Sequence, residues 1–84
     1  MSNDDVYDVI VRYITEICED VDPGQVARDR SMKDLGANSL DIVEVVSCSM
    51  RELGVRIPRS ELGDIRTIGG LADRLEAAWA AKHA

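Results

Sequence analysis

The sequence predicts an all-α fold: a bundle of four helices with a long loop between helices 1 and 2 and a short helix 3. Apolar residues recur at spacings of three and four along three long segments, which places them on one face of each helix. No segment is identified as a strand. At 84 residues, the chain is expected to form a single domain, residues 1–84, with a core near the lower size limit for stability.

The first helix is expected to run from about Asp4 to Asp20. Asn3 or Asp4 can cap it, and acidic residues in its first turn suit the helix dipole. A loop over residues 22–38 follows and opens with the turn signal Pro23-Gly24. Because so long a loop is unusual in a small domain, three residues are expected to anchor it: Val26, Met32 and Leu35. The apolar face of the first helix comprises Val6, Ile10, Tyr13, Ile14, Ile17 and Val21.

The second helix is expected over residues 39–53, with Gly54 as its C-terminal cap. Its N-terminus follows a turn-like run, and either Asn38 or Ser39 can cap it. The buried stripe of this helix is expected to consist of Val43, Val46, Met50 and Leu53, with Val45 and Ser49 beside it.

Two further helices complete the predicted bundle. Pro58 can begin a short third helix that stops near Gly63, and Thr67 can cap the fourth helix. The Gly69-Gly70 pair is expected to permit close helix packing. The fourth helix has an apolar face of Ile68, Leu71, Leu75, Ala78 and Trp79, the tryptophan being assigned to packing. The residues expected to be buried between helices are Ile14, Val46, Leu53, Leu71 and Leu75.

Composition limits the possible partners. The net charge is −6, which argues against nucleic acid, because phosphate binding needs a basic surface. No apolar run approaches the roughly 20 residues of a membrane-spanning helix. The chain does not open with the charged and apolar regions of a signal peptide. We expect a cytoplasmic protein that binds neither nucleic acid nor membranes, and we expect a monomer.

Residues able to support catalysis or metal binding are sparse. Cys18 and Cys48 lie on or beside apolar stripes and are expected to be small buried hydrophobic residues. The only histidine is His83, in the C-terminal tail, so a Ser-His or Cys-His couple could use no other. No Cys-x-x-Cys spacing or phosphate-binding loop occurs. The sequence therefore predicts no metal site and no catalytic site, and the protein is not expected to be an enzyme.

The most informative stretch is DLGANSLDIVEVV, residues 34–46. It places Ser39 between a turn and an amphipathic helix, where the serine either caps the helix or presents its hydroxyl for modification. Together with an acidic first helix, a long loop, an Ile-Pro before helix 3 and TIGGLADRL in helix 4, this stretch resembles the acyl carrier protein family over nearly the whole chain. The family usually has Asp-Ser-Leu at this point, whereas this chain has Asn38 before the serine.

The resemblance implies a function for the serine. In that family the matching serine, here Ser39, carries 4′-phosphopantetheine, which a phosphopantetheinyl transferase adds from coenzyme A. The leucine that follows, here Leu40, is exposed in the family and touches partner enzymes. The resemblance also makes nearby acidic residues contacts for basic enzyme surfaces. We expect the partner-binding set to be Leu40, Asp41, Val43, Glu44, Arg51 and Arg59.

The charge distribution suggests specialised partners. Residues 39–64 hold five acidic residues and three arginines, so arginine is mixed into the region where partners dock in the family. The segments GANSLDIVEVV and MRELGVRIPRSEL are similar to free-standing polyketide carriers, and among these to the donor carriers of β-branching cassettes. Such carriers deliver an acetyl unit to a synthase resembling hydroxymethylglutaryl (HMG) synthase. Expected partners are therefore an acyltransferase, a ketosynthase or an HMG-synthase-like enzyme.

Two alternatives remain open at the level of sequence. A peptidyl or aminoacyl carrier would share the fold and the arm but would tether an amino acid. Its loading would need ATP and an adenylating enzyme. The second alternative is a helical protein-interaction module in which Ser39 is never modified.

Overall fold

The computed structural model describes residues 2–84, in which α-helices and one short 3-10 turn supply all the regular secondary structure. The elements are α1 (Asn3–Ile17), the 3-10 turn (Pro23–Gln25), α2 (Ser39–Leu53), α3 (Arg59–Leu62) and α4 (Ile68–Lys82). α1 packs against both α2 and α4. This arrangement confirms the predicted all-α bundle with a long first loop and a short third helix. No helix in this range is long and apolar enough to cross a membrane.

The start of α1 differs from the prediction. Ser2, rather than Asn3 or Asp4, is the cap: Ser2 Oγ accepts the Asp5 N–H at 3.2 Å. In return, the Asp5 carboxylate accepts the Ser2 N–H at 3.1 Å. This reciprocal pair requires a hydroxyl three residues ahead of an acidic side chain. Ser2 and Asp5 have that spacing, whereas Asn3 is followed at the same distance by a valine.

α1 also ends three residues earlier than predicted. Cys18 leaves helical geometry, with φ −94° and ψ 84°, and the chain bends so that Val21 returns to the core with only 4% of its surface exposed. Further along the loop, Met32 is buried while Val26 and Leu35 are half-buried against the core. The three predicted anchors of the loop are therefore confirmed.

α2 has the predicted bounds and ends at Gly54, whose φ of 69° lies in the left-handed region that favours glycine. The predicted buried stripe is wrong in one member, because Val43 is 56% exposed. A helix turns by about 100° per residue, so Val43 lies roughly a third of a turn from the centre of the buried set. That set comprises Val45, Val46, Ser49 and Leu53.

α3 and α4 begin where predicted. α3 follows Pro58 and precedes Gly63, and Thr67 Oγ1 caps α4 by accepting the Gly70 N–H at 2.9 Å. The Trp79 ring stacks on His83, with ring centroids 4.2 Å apart, so it packs near the end of α4 rather than in the central core. The buried residues of α4 are Ile68, Gly69, Leu71, Ala72 and Leu75.

The glycine pair serves a different contact from the one predicted. Gly69 packs against the loop before α2 rather than against another helix: its N–H donates to the Arg28 carbonyl at 2.9 Å. The neighbouring Ile68 N–H donates to the Arg30 carbonyl, also at 2.9 Å. The first turn of α4 therefore finds acceptors for its free N–H groups in the loop, and this fixes the loop against α4.

The core confirms the predicted interior. It lies where α1, α2 and α4 meet, and all five residues expected there are buried: Ile14, Val46, Leu53, Leu71 and Leu75. Cys18 is buried just beyond α1, and Cys48 is half-buried within α2; both are free thiols.

Candidate functional site

The turn before α2 sets the position of the candidate serine. Gly36 has a φ of 104°, a left-handed value that a residue with a side chain rarely adopts. Ala37 is buried, and its N–H donates to the Met32 carbonyl at 3.0 Å. Asn38 is extended, with φ −85° and ψ 171°. This sequence of backbone conformations anchors the turn to the core and leaves Ser39 as the first residue of α2.

Asn38, and not Ser39, caps the helix. The Asn38 side-chain oxygen accepts the Asp41 N–H at 2.8 Å. The Ser39 side chain is exposed, and its hydroxyl forms no hydrogen bond with any residue between positions 2 and 84. Since a neighbour performs the capping, the Ser39 hydroxyl is free for chemistry.

The backbone beside Ser39 suits an anion. Within the described chain, the N–H groups of Ser39 and Leu40 have no acceptor, as is usual in the first turn of a helix. Fifteen residues of α2 align their peptide dipoles, so this end of the helix carries partial positive charge. A phosphate ester on the Ser39 hydroxyl would meet both the free N–H groups and the positive end of the dipole.

The surface around Ser39 is apolar at its centre. Leu40 is 81% exposed and Val43 is 56% exposed, and these two are the exposed large hydrophobic residues of the described chain. Glu44 is exposed and Asp41 is half-buried beside them. The structure therefore groups four of the predicted partner-binding residues within the first two turns of α2.

The two predicted arginines occupy different places. Arg51 lies 12 residues beyond Ser39, about 18 Å along the helix axis, and shares the outward ridge of α2 with Leu40 and Glu44. Arg59 begins α3 and lines a groove beside α2. Both arginines are exposed. Arg59 therefore lines the same groove as Val43, whereas Arg51 lies on the outward ridge of α2, towards its C-terminal end.

A groove that the sequence did not predict runs between the first loop, α2, α3 and the start of α4. Its volume is about 1020 Å³, and its floor includes Val46, Met50 and Leu71. Because Val43 and Met50 line this groove, Val43 is exposed and Met50 is only half-buried. Apolar spacing along one helix cannot reveal a groove, since its other wall comes from residues about 20 positions away.

The single histidine of the chain, His83, lies far from Ser39. Lys82 Nζ donates to the Gly54 carbonyl, which places the C-terminus of α4, with His83, at the far end of α2. Fifteen helical residues separate that end from Ser39, about 22 Å. Burial raises the pKa of the Cys18 thiol, and the carboxylates on α2 add to the effect, so this thiol stays protonated near neutral pH. No cluster able to hold a metal ion occurs among residues 2–84.

Comparison with known proteins gives a consistent result. Residues 8–75 match the family described as "Phosphopantetheine attachment site". The polyketide biosynthesis acyl carrier protein AcpK of Bacillus subtilis is 29% identical over 75 residues, covering 89% of this chain and 92% of AcpK. An acyl carrier protein of Bdellovibrio bacteriovorus is 38% identical over 72 residues, covering 84% of this chain and 86% of that protein.

A solved structure resembles the fold closely. It is a chain in the crystal structure of the HMG synthase of the curacin biosynthetic pathway in complex with an acetyl-donor carrier protein. The TM-score is 0.78 and the identity is 36%, covering 93% of this chain and 99% of that chain.

Proposed function

The chain belongs to the acyl carrier proteins, the family with a phosphopantetheine attachment site, and from that premise we propose that Ser39 carries the 4′-phosphopantetheine arm. The observation that carries the proposal is the state of Ser39: it is exposed, opens α2 and is released from capping by Asn38. Ser39 also lies within the residues that match the family. A phosphodiester fits there because two N–H groups face it unpaired.

The residues around Ser39 have a positioning role. When bound, the arm supplies a terminal thiol on which acyl groups are held as thioesters. Asn38 fixes the start of the helix, and the N–H groups of Ser39 and Leu40 hold the phosphate with about 0.3–1 kcal/mol, as is typical of exposed helix termini. That energy orients the phosphate but leaves the remainder of the arm free. The protein is therefore a non-catalytic carrier, one monomeric domain, whose partner enzymes supply the acid, base and nucleophile.

We further propose that its partners include an HMG-synthase-like enzyme to which it donates an acetyl or related acyl group. Support comes from the solved carrier protein in complex with an HMG synthase, which is 36% identical to this chain, and from a relative in polyketide biosynthesis. The other required partner is a phosphopantetheinyl transferase, because the carrier cannot attach its own arm.

The docking surface that we propose has an apolar centre and a charged edge. Leu40 and Val43 supply exposed apolar area close to Ser39, and burial of such side chains stabilises an interface. Exposed Glu44 follows Val43 directly on α2, and exposed Arg59 lines the same groove as Val43, so opposite charges accompany this centre. Charge complementarity governs the rate of encounter and the choice of partner, so this mixed edge would select an enzyme with both basic and acidic contacts.

Intact mass spectrometry tests the attachment. After incubation with coenzyme A and a broad-specificity transferase, the protein should gain the mass of one phosphopantetheine, and Ser39→Ala should gain none. Ser47→Ala is the matched control on the same helix and should be modified normally. An unmodified wild type, or modification that persists in Ser39→Ala, would contradict the assignment.

A competition assay tests the donor role. Protein loaded with an acetyl group is offered to an HMG-synthase-like enzyme and to a chain-extending ketosynthase together. We expect faster transfer of the acetyl group to the HMG-synthase-like enzyme. Preferential acylation of the ketosynthase would remove the donor role and leave the general carrier function intact.

A further inference from the structure

One face of α2 leads from the attachment residue into the groove. Ser39, Val43, Val46 and Met50 follow one another at spacings of four, three and four residues, so they lie along one side of the helix. The last three line the groove. From Ser39 to Met50 this side extends about 16 Å. A group attached to Ser39 therefore starts at the open end of an apolar wall.

The opposite wall is formed by α3 and the segment after it. Leu62 and Ile65 are half-buried and line the groove. The groove is about 1020 Å³ in volume, at the upper end of the roughly 300–1,000 Å³ typical of small-molecule sites. It is therefore large enough for an acyl chain of several carbons.

Several cationic side chains line the groove. Lys33, Arg59 and Arg66 line it, and none of the three forms an ion pair within the described chain. Of the six arginines outside the groove, three have acidic partners, in the pairs Arg12–Glu52, Arg28–Asp4 and Arg74–Glu61. Among the described residues, the other three form no ion pair: Arg30, Arg51 and Arg56. Two carboxylates, Asp29 and Asp34, also line the groove. It is thus lined by more cations than carboxylates, although the chain as a whole has a net charge of −6.

A backbone donor in the groove is weakly satisfied. The Ile57 N–H donates to Met50 Sδ at 3.2 Å, and a thioether sulfur is a weak acceptor. Both residues line the groove. A ligand oxygen that replaced the sulfur would make a stronger hydrogen bond with this N–H.

From these features we infer that the groove binds acyl groups that end in a carboxylate, in preference to uncharged acyl groups of the same length. The inference rests on the proposed function, because the acyl group reaches the groove from Ser39. Its methylene chain packs against Val43 and Val46, and its carboxylate pairs with Arg59 and Arg66. An uncharged acyl group gains only the apolar part of this contact.

The test compares two acyl groups of six carbons on the full chain. A transferase loads Ser39 from hexanoyl- or adipoyl-coenzyme A: the serine hydroxyl attacks the phosphate, a phosphodiester forms and adenosine bisphosphate leaves. Intact mass confirms loading. Amide chemical shifts are then recorded against the protein carrying the arm without an acyl group. We expect the adipoyl protein to shift the Ile57 amide more than the hexanoyl protein, and the excess should decrease at high salt.

Two variants identify the cations. Arg59→Gln and Arg66→Gln should each reduce the adipoyl-specific shift by about two- to fivefold, the range expected for partly exposed ion pairs. Arg51→Gln, on the outward ridge of α2, should leave it unchanged. These arginines are exposed, so their replacement should not disturb the fold, and the spectra of the unacylated forms will verify this.

The failures of the two proposals are distinguishable. If Ser39 cannot be loaded at all, the proposed attachment fails, and the groove inference fails with it. If loading succeeds but hexanoyl shifts the Ile57 amide as much as adipoyl does, only the groove inference is overturned. The same holds if the Arg59→Gln and Arg66→Gln variants retain the full adipoyl effect.

Discussion

The Gly69 N–H donates to the Arg28 carbonyl at 2.9 Å, which joins the first turn of α4 to the loop before α2. The Arg28 side chain extends the connection to α1. It donates to the side chains of Asn3 at 2.5 Å and Asp4 at 2.7 Å, and it stacks over the Tyr7 ring at 4.4 Å. One loop residue thus links two helices, α1 and α4, and its backbone contact requires a glycine at position 69.

We expect Gly69→Ala to lower the free energy of unfolding by about 1–3 kcal/mol. A Cβ at this position would lie 2.9 Å from the Arg28 carbonyl oxygen, so the loop would have to move and lose its hydrogen bond. Denaturant unfolding measures the change. Gly63→Ala is the matched control: its φ of −64° suits alanine and its Cβ would have room. Equal stability of the Gly69→Ala variant and the wild type would contradict the close contact.

Ser49→Ala should stabilise the protein by up to about 1 kcal/mol. The Ser49 side chain is fully buried in the core, and its hydroxyl has no hydrogen-bond partner among the described residues. On folding, this hydroxyl loses its hydrogen bonds to water and gains none in return. Alanine avoids that cost and fills almost the same volume. The midpoint of denaturant unfolding should rise. A lower midpoint would show that the hydroxyl makes a favourable interaction in solution.

Two substitutions at Asn38 separate capping from charge. Asn38→Ala should cost about 0.5–2 kcal/mol of stability, because the Asp41 N–H loses its acceptor. Asn38→Asp should keep the cap and the stability, and it restores the residue usual in carrier proteins. Comparing transferase rates for wild type and Asn38→Asp then measures the effect of that charge alone. A large loss of stability in Asn38→Asp would contradict the capping role.

The free energy of unfolding should depend on the ionisation of Asp5 at acid pH. Hydrogen bonds from Ser2 hold the pKa of the Asp5 carboxyl below its usual value of 3.8. A depressed pKa in the folded state means that the charged carboxylate contributes stability above pH 3.8, and that this contribution is lost as the pH falls below it. Asp5→Asn should therefore be less stable than the wild type at pH 7, with a difference that narrows towards pH 3. Denaturant midpoints at both pH values check this; an unchanged difference would count against it.

Arg59→Glu should slow acetyl transfer to the proposed HMG-synthase-like partner, because Arg59 lines the same groove as Val43 of the proposed docking surface. We expect a decrease of about three- to tenfold in kcat/KM at low salt, mainly through slower association. The effect should nearly vanish at 1 M salt, where the Debye length is about 3 Å. Arg56→Glu makes the same charge change nearby. If both variants behave alike, the effect arises from net charge rather than from contact at Arg59.

Sequence patterns predicted the helices, and the place of Ser39 at the start of α2, more accurately than the surfaces between elements. The bounds of α2 follow from local signals: a turn with Asn38 before the helix and Gly54 after it. Val43 was misplaced because apolar spacing alone does not distinguish a residue facing the core from one facing a groove. The cap at Ser2 was missed, although its spacing to Asp5 is a recognisable signal.

The sequence by itself determined the all-α class, the start and end of α2 and the position of Ser39, because caps, turns and helical periodicity act between residues close in the chain. The tertiary structure alone decided that Arg28 meets Gly69, that Lys33, Arg59 and Arg66 line one groove, and that Val43 faces this groove rather than the core. These relationships join residues up to about 40 positions apart. They depend on how the helices pack, and the order of residues along the chain does not give the distances between packed helices.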